Sequence, residues 1–278
     1  MKTTIFKPAP LGSLVLETRI LTGGTRFDAM TQDNAGSGAV IAAGFVPSSV
    51  LADPGDTGRT TVLSDKEIFF HQMYLQMEAL IWTPVFAGLT HPGEAALPGQ
   101  PLELPSVDSD RSYGREARRM KTAECEMLVS EFASAAKAAK AAHYAGVLIE
   151  MGKDSLLGAF LSPETNGRDD KYGGNVFKRM RLSAETVTAV KASQPDFPLI
   201  VAYDTTRNGR TDEEMLLQLA FMEEAGADAF LLEGEEEPEF IQRLRESCEV
   251  PVIRRPSEKT VLSAIRLLNE GKADFALI

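Results

Sequence analysis

Cysteine is scarce in this chain: two residues, Cys125 and Cys248, in 278. Two thiols cannot staple a small secreted scaffold, and alone they cannot build a four-ligand zinc site. Positive charge is short as well, with 29 Lys+Arg against 40 Asp+Glu and a net charge of −11. A pI near 4.9 lacks the basic footprint that nucleic acid or an anionic membrane surface requires. No apolar run approaches the roughly 20 residues of a membrane-spanning helix, and the N-terminus, MKTTIFKPAP, has no apolar signal core. No internal repeat is evident. With 44% hydrophobic and 25% charged residues, low complexity and disorder are excluded. What remains is a soluble, cytoplasmic protein, and the length suits a single domain over 1–278.

What is present is a series of apolar, β-rich runs. They cover 19–23, 39–45, 84–89, 146–150, 198–204, 229–234, 250–254 and 274–278. Most are continuous rather than alternating, as strands buried on both faces of a parallel sheet read. Helical patterns lie between the later ones. From Thr122 the apolar residues Cys125, Leu128, Phe132, Ala136 and Ala139 repeat at helical spacing, with Cys125 on the core stripe. Thr211-Asp-Glu-Glu214 is a capping box that opens Met215–Ala225, stopped by Gly226. Glu239–Cys248 forms another helix, and Ser257 is placed to cap Lys259–Glu270 ahead of Gly271. Eight strands alternating with helices predict a (β/α)8 barrel, with an open doubly wound sheet as the alternative.

Two outer helices are expected to be short or missing. About fifteen residues (24–38) separate the first two strands, and the chain stops at Ile278 after the eighth. Apolar barrel wall would then need cover from other segments of the chain, from a second copy or from a partner protein. A loop of about thirty residues, His91–Met120, carries four prolines after strand three, on the face where barrel sites lie.

Glu150, Asp204 and Glu233 stand at C-terminal strand ends. They read as a carboxylate cluster for acid/base work or a divalent cation, or as partners of Lys153, Arg254 or Arg255 around a disused pocket. No metal site is assigned. His91 reads as a reactive group or as an anchor for its loop. Arg254 and Arg255 read as a phosphate grip or as ion-pair partners of the acidic run Glu233–Glu239. His71 and His143 fall in helical stretches as surface or boundary residues, and nothing near Cys248 argues for a reactive thiolate.

Residues 160–181 read FLSPETNGRDDKYGGNVFKRMR. The segment resembles the hallmark of the old yellow enzyme family (NADH:flavin oxidoreductases and dienoyl-CoA reductases) at Phe160, Leu161, Ser162, Pro163, Asn166, Arg168, Asp170, Tyr172, Gly173, Gly174, Arg179 and Arg181. PAPLGSLVLETRIL resembles the family's N-terminal hairpin and first strand, the stretch from Met120 to Glu150 its third helix and fourth strand, and GKADFALI its last strand. The resemblance implies an FMN-dependent TIM barrel passing hydride from NAD(P)H to an activated alkene.

Position by position, it also implies where that chemistry is replaced. Glu150, Lys153 and Ser155 stand where the family has two His/Asn donors and a Tyr. Gly88 replaces a flavin-binding Gln, Ala202 an Arg facing flavin N1, and Gly23 and Gly24 the stretch that cradles the ring. His91 survives from the family's strand-three motif, whose Arg becomes Glu94. Arg254 and Arg255 occupy the phosphate-binding strand end, and the family's Gly-Arg pair after strand eight would fall beyond Ile278. The expected function is a divergent barrel that has lost FMN-dependent reduction and acts as a binding or subunit protein. The alternatives are an active FMN oxidoreductase with a rebuilt site, and an acid/base lyase or hydrolase using the strand-end carboxylates.

Overall fold

The computed structural model describes residues 4–25, 39–45, 68–75 apart from 70 and 74, 83–96, 102–108, 113–153 apart from 115, 155–234 and 238–278. A hairpin comes first, β1 (Ala9–Leu11) against β2 (Leu14–Leu16). Eight parallel strands follow and close on themselves: β3 (Ile20–Thr25), β4 (Ala39–Phe45), β5 (Val85–Leu89), β8 (Gly146–Met151), β9 (Leu199–Asp204), β10 (Ala229–Glu233), β11 (Val252–Arg254) and β12 (Phe275–Leu277). These are the eight apolar runs of the sequence, and the fold is the expected (β/α)8 TIM barrel rather than an open sheet.

The pleat explains why the runs are continuous. One set of side chains, including Leu21, Ile41, Phe86, Leu148, Ile200, Leu231, Ile253 and Phe275, fills the barrel interior. The alternate set, including Ala87, Val147, Ile149, Val201 and Phe230, faces the helices. Both faces are dry, so polar alternation would be costly. Ala9, Leu11 and Leu16 of the hairpin join the interior cluster and plug the barrel at its N-terminal end.

The outer layer among the described residues holds α1 (Thr122–Ala141), α4 (Arg181–Ser193), α5 (Asp212–Glu224), α6 (Pro238–Ser247) and α7 (Val261–Asn269). Two short helices, α2 (Leu156–Leu161) and α3 (Val176–Arg179), lie between β8 and α4. Thr211 caps the helix as expected, its hydroxyl accepting the Glu214 N–H at 3.2 Å, but the Glu214 carboxylate pairs with Arg179, and Gly226 takes φ +113° as the stop. Ser257 is not the cap of α7. Thr260 is, accepting the Ser263 N–H at 3.2 Å, so the helix begins two residues later than expected.

The segment 26–38, where the first outer helix was expected to be missing, lies outside the described residues. At the other suspected gap the wall is covered. A 3-10 turn, Thr4–Phe6, lies over β3 and β12, where Ile5 packs with Ile20, Ala264 and Ala276. The Arg19 N–H donates to the Ile5 carbonyl at 2.9 Å. Alanines at 264, 273 and 276 keep this face shallow enough for one turn to seal it. No described helix is long and apolar enough to cross a membrane.

The long loop is not all loop. Within it β6 (Leu102–Leu104) and β7 (Ala117–Arg119) pair in parallel, with Glu103 opposite Arg118. That pair carries a charge network into the top of the barrel.

Candidate functional site

At the C-terminal ends of the strands lies a cavity of about 410 Å3, lined by Thr90, Pro92, Glu150, Gly152, Lys153, Ser155, Asp204, Thr206, Glu233 and Gly234. This volume is within the range of small-molecule sites. The register explains the convergence: Glu150 sits beside Ala202, and Asp204 beside Glu233, on neighbouring strands with one parity. All three strand-end carboxylates therefore face one space, as do Lys153 and Ser155. Among the described residues no three acids, histidines or cysteines approach closely enough to hold a metal ion.

The carboxylates are not equivalent. Asp204 is buried and fully engaged. It accepts the Thr206 N–H at 2.8 Å and the Asn208 amide at 3.0 Å, with the Arg210 guanidinium 3.8 Å away. Arg210 is itself buried and donates to the Tyr203 hydroxyl and the Asp204 and Thr206 carbonyls. The pair builds the loop after β9 and aims Thr206 at the cavity. Arg210, Thr206, Thr90 and Gly234 escaped notice in the sequence, because they sit one to six residues past the strand ends in no motif. Glu233 lies half-exposed, with Arg255 at 3.8 Å. Its Oε2 crosses to β8, where a Cβ on Gly152 would come within 3.2 Å of it.

Ser155 is the N-cap of α2: its Oγ accepts the Gly158 N–H at 3.1 Å and donates to the Gly152 carbonyl at 2.8 Å. Its one proton is committed to the chain. Lys153 is exposed, and no ion pair to it forms among the described residues. It is the one cation lining the cavity among the described residues.

His91 does not reach the cavity, although Thr90 and Pro92 on either side do. It is buried, with Nε2 3.2 Å from Glu103 Oε2. Glu103 also binds Arg118, which binds Glu124 at 2.8 Å. Burial holds the imidazole below its ordinary pKa despite the pull of Glu103. The His91 hydrogen bond and Arg118 hold the Glu103 carboxyl below the usual range, against its burial.

Gly88 and Ala202 are buried one inward step below Thr90 and Asp204, on β5 and β9. Gly23 and Gly24 pair with Ile41 and Ala42 on β4. None of these four contributes a side-chain donor. Arg254 ends β11 and Arg255 follows it; both line a second cavity of about 850 Å3 with Pro256 and Ser257, and Gly234 lines both cavities. Residues 235–237 of the acidic run lie outside the described residues.

The remaining histidines and cysteines are structural. His71, expected at the surface or its boundary, is buried, its Nδ1 2.8 Å from the Tyr144 hydroxyl. His143 is exposed just past the end of α1, at φ +71° rather than in the helix. Burial raises the thiols of Cys125 to about 11 and Cys248 to about 12, which makes both inert.

The hallmark segment points inward and away from the cavity. Asn166 donates to the Phe160 and Tyr172 carbonyls at 2.7 and 2.8 Å. Arg168 donates to the Pro105 and Met120 carbonyls and pairs with Asp170. Arg179 reaches the Leu161 and Gly174 carbonyls and Glu214. A Cβ on Gly173 would lie 2.3 Å from Arg168 Cβ, so only glycine fits. The segment ties the long loop and α5 to the barrel top.

Residues 90–249 match the NADH:flavin oxidoreductase / NADH oxidase family. The chain belongs to that family. Among the family's relatives, a metal reductase of Desulforamulus reducens is 32% identical over 201 residues, 65% of this chain and 30% of that protein. An NADH oxidase of Thermoanaerobacter brockii is 27% identical over 220 residues, 70% of this chain and 34% of its own length. The chain thus spans about a third of these relatives. Morphinone reductase in complex with tetrahydroNAD superimposes with a TM-score of 0.84 at 20% identity, over 99% of this chain and 86% of that one, a likeness of fold.

FMN is the cofactor that membership in this family implies, and the mouth fits it poorly. A flavin ring needs donors toward its oxygens and a cation near N1. Here the wall beneath the cavity offers Gly88 and Ala202, and the rim sets three carboxylates, which only accept, against Lys153 and the hydroxyls of Thr90 and Thr206.

Proposed function

We propose that this member of the flavin oxidoreductase family has lost FMN-dependent reduction and serves as a binding or subunit protein. One observation carries the reading. The hallmark residues that brace the barrel keep their internal bonds, whereas Glu150 and Lys153 in the mouth cavity, and Gly88 and Ala202 beneath it, stand where the family's flavin and substrate contacts are expected. Selection for the barrel without selection for the flavin leaves that pattern. A second copy or a partner protein is the natural ligand class for such a barrel.

A second reading, an active FMN oxidoreductase with a rebuilt site, draws on Arg254 and Arg255. They stand at a barrel strand end where phosphates bind, in a cavity that shares the lining residue Gly234 with the mouth. The oxidase and reductase names of the relatives favour it too. An acid/base lyase or hydrolase is the weakest of the three, because Asp204 is committed to Thr206, Asn208 and Arg210.

The purified protein decides between the first two. Our reading expects a colourless protein and no flavin released on denaturation. A yellow protein that releases stoichiometric FMN, and that loses it in Arg254→Glu or Arg255→Glu, establishes the second.

A further inference from the structure

The turn that opens the long loop contains a buried histidine with both ring nitrogens and its carbonyl hydrogen-bonded. His91 Nε2 lies 3.2 Å from Glu103 Oε2, so that nitrogen carries the proton toward the carboxylate. Nδ1 accepts the Gly93 N–H at 3.3 Å. The His91 carbonyl accepts the Leu156 N–H, in the first turn of α2, at 2.8 Å. One residue thereby joins the turn Gly93–Ala95, strand β6 and the start of α2. Contact between the turn and the helix is close: a Cβ on Gly93, at φ +52°, would lie 3.0 Å from the Leu156 nitrogen. Thr90, Pro92 and Ser155, all immediate chain neighbours of this junction, line the mouth cavity.

Only the neutral imidazole satisfies this arrangement. A second proton must go on Nδ1, where it would meet the Gly93 N–H, donor against donor, and that bond is lost. The charged groups around the ring are Glu103 on β6, Arg118 on β7, Glu124 on α1, which Arg118 also binds, and Glu94 in the turn itself. Glu103 faces Nε2 and shares its charge with Arg118. We propose that His91 is a proton-operated latch on the mouth cavity: neutral, it holds the turn at 93–95 against α2, and protonated, it lets the turn go. The latch would control access whatever the cavity holds, and so goes beyond the question of flavin. The direction agrees with burial, which already disfavours the charged ring.

Three histidines in the whole chain make the test direct. In an NMR titration of the wild-type protein, His91 Cε1–H should titrate below the ordinary range of about 6.5. The Gly93 and Leu156 amide resonances should move with the same midpoint, and their exchange protection should fall at least about ten-fold between about pH 7.5 and about pH 5. His91→Asn retains an acceptor for Gly93 but cannot titrate, and should keep that protection at both pH values. The proposal is overturned if the two amides ignore the His91 titration, or if His91→Asn loses protection in acid as the wild type does. Should the variant not fold, the wild-type titration still decides. No flavin enters the experiment, so its failure is distinct from failure of the FMN reading.

Discussion

Asn166 and Arg168 show what the retained family residues do, because each donates to the carbonyls of two buried residues. Asn166→Ala would strand the Phe160 and Tyr172 carbonyls and should cost about 2–3 kcal/mol in urea unfolding. Arg255→Ala removes only a half-exposed pair at 3.8 Å and should cost less than about 0.5 kcal/mol. Asp170 gives the matching pH dependence. Bonds from Arg168, Thr122 and the Tyr172 N–H hold its carboxyl far below the usual range. A depressed carboxyl pKa contributes stability that is complete above the unfolded value of about 3.9 and is lost as pH falls toward the folded one. Asp170→Asn should therefore be destabilised at neutral pH, with the gap to wild type narrowing as unfolding is measured below about pH 4. A gap independent of pH would contradict the assignment.

Elements differ in how openly the sequence declares them. The eight strands were legible because a barrel strand is dry on both faces, and α1 and α5 because an apolar stripe or capping box marks them. By contrast α4 hides, since its buried face mixes Leu182, Val187 and Val190 with Ser183 and Thr186. The three-residue strands β6 and β7 hide because a buried glutamate, Glu103, sits at the centre of one. The start of α7 was misplaced because Ser257 and Thr260 are both competent caps, and only the coordinates show which one bonds. Thr260→Ala should accordingly cost about 1 kcal/mol, and Ser257→Ala should be near neutral, by thermal or chemical unfolding.

At the scale of the whole molecule, the barrel and its family were readable from one segment, but the site was readable only in outline. Strand-end position placed Glu150, Asp204 and Glu233 at one mouth. It could not show that Asp204 is taken up by Arg210, six residues on, or that His91 turns away toward Glu103. Those facts depend on where loops fold back, which no strand pattern encodes. The net charge of −11 also reads differently now. Arg210 and Arg255 stand behind two of the three mouth acids, so our proposal of a lost flavin rests on Gly88 and Ala202, which bring no donor, more than on excess negative charge. A fluorescence titration of FMN with the purified protein tests that account most directly. The prediction is that flavin emission stays that of the free cofactor at stoichiometric and excess protein. Saturable, stoichiometric quenching would contradict it.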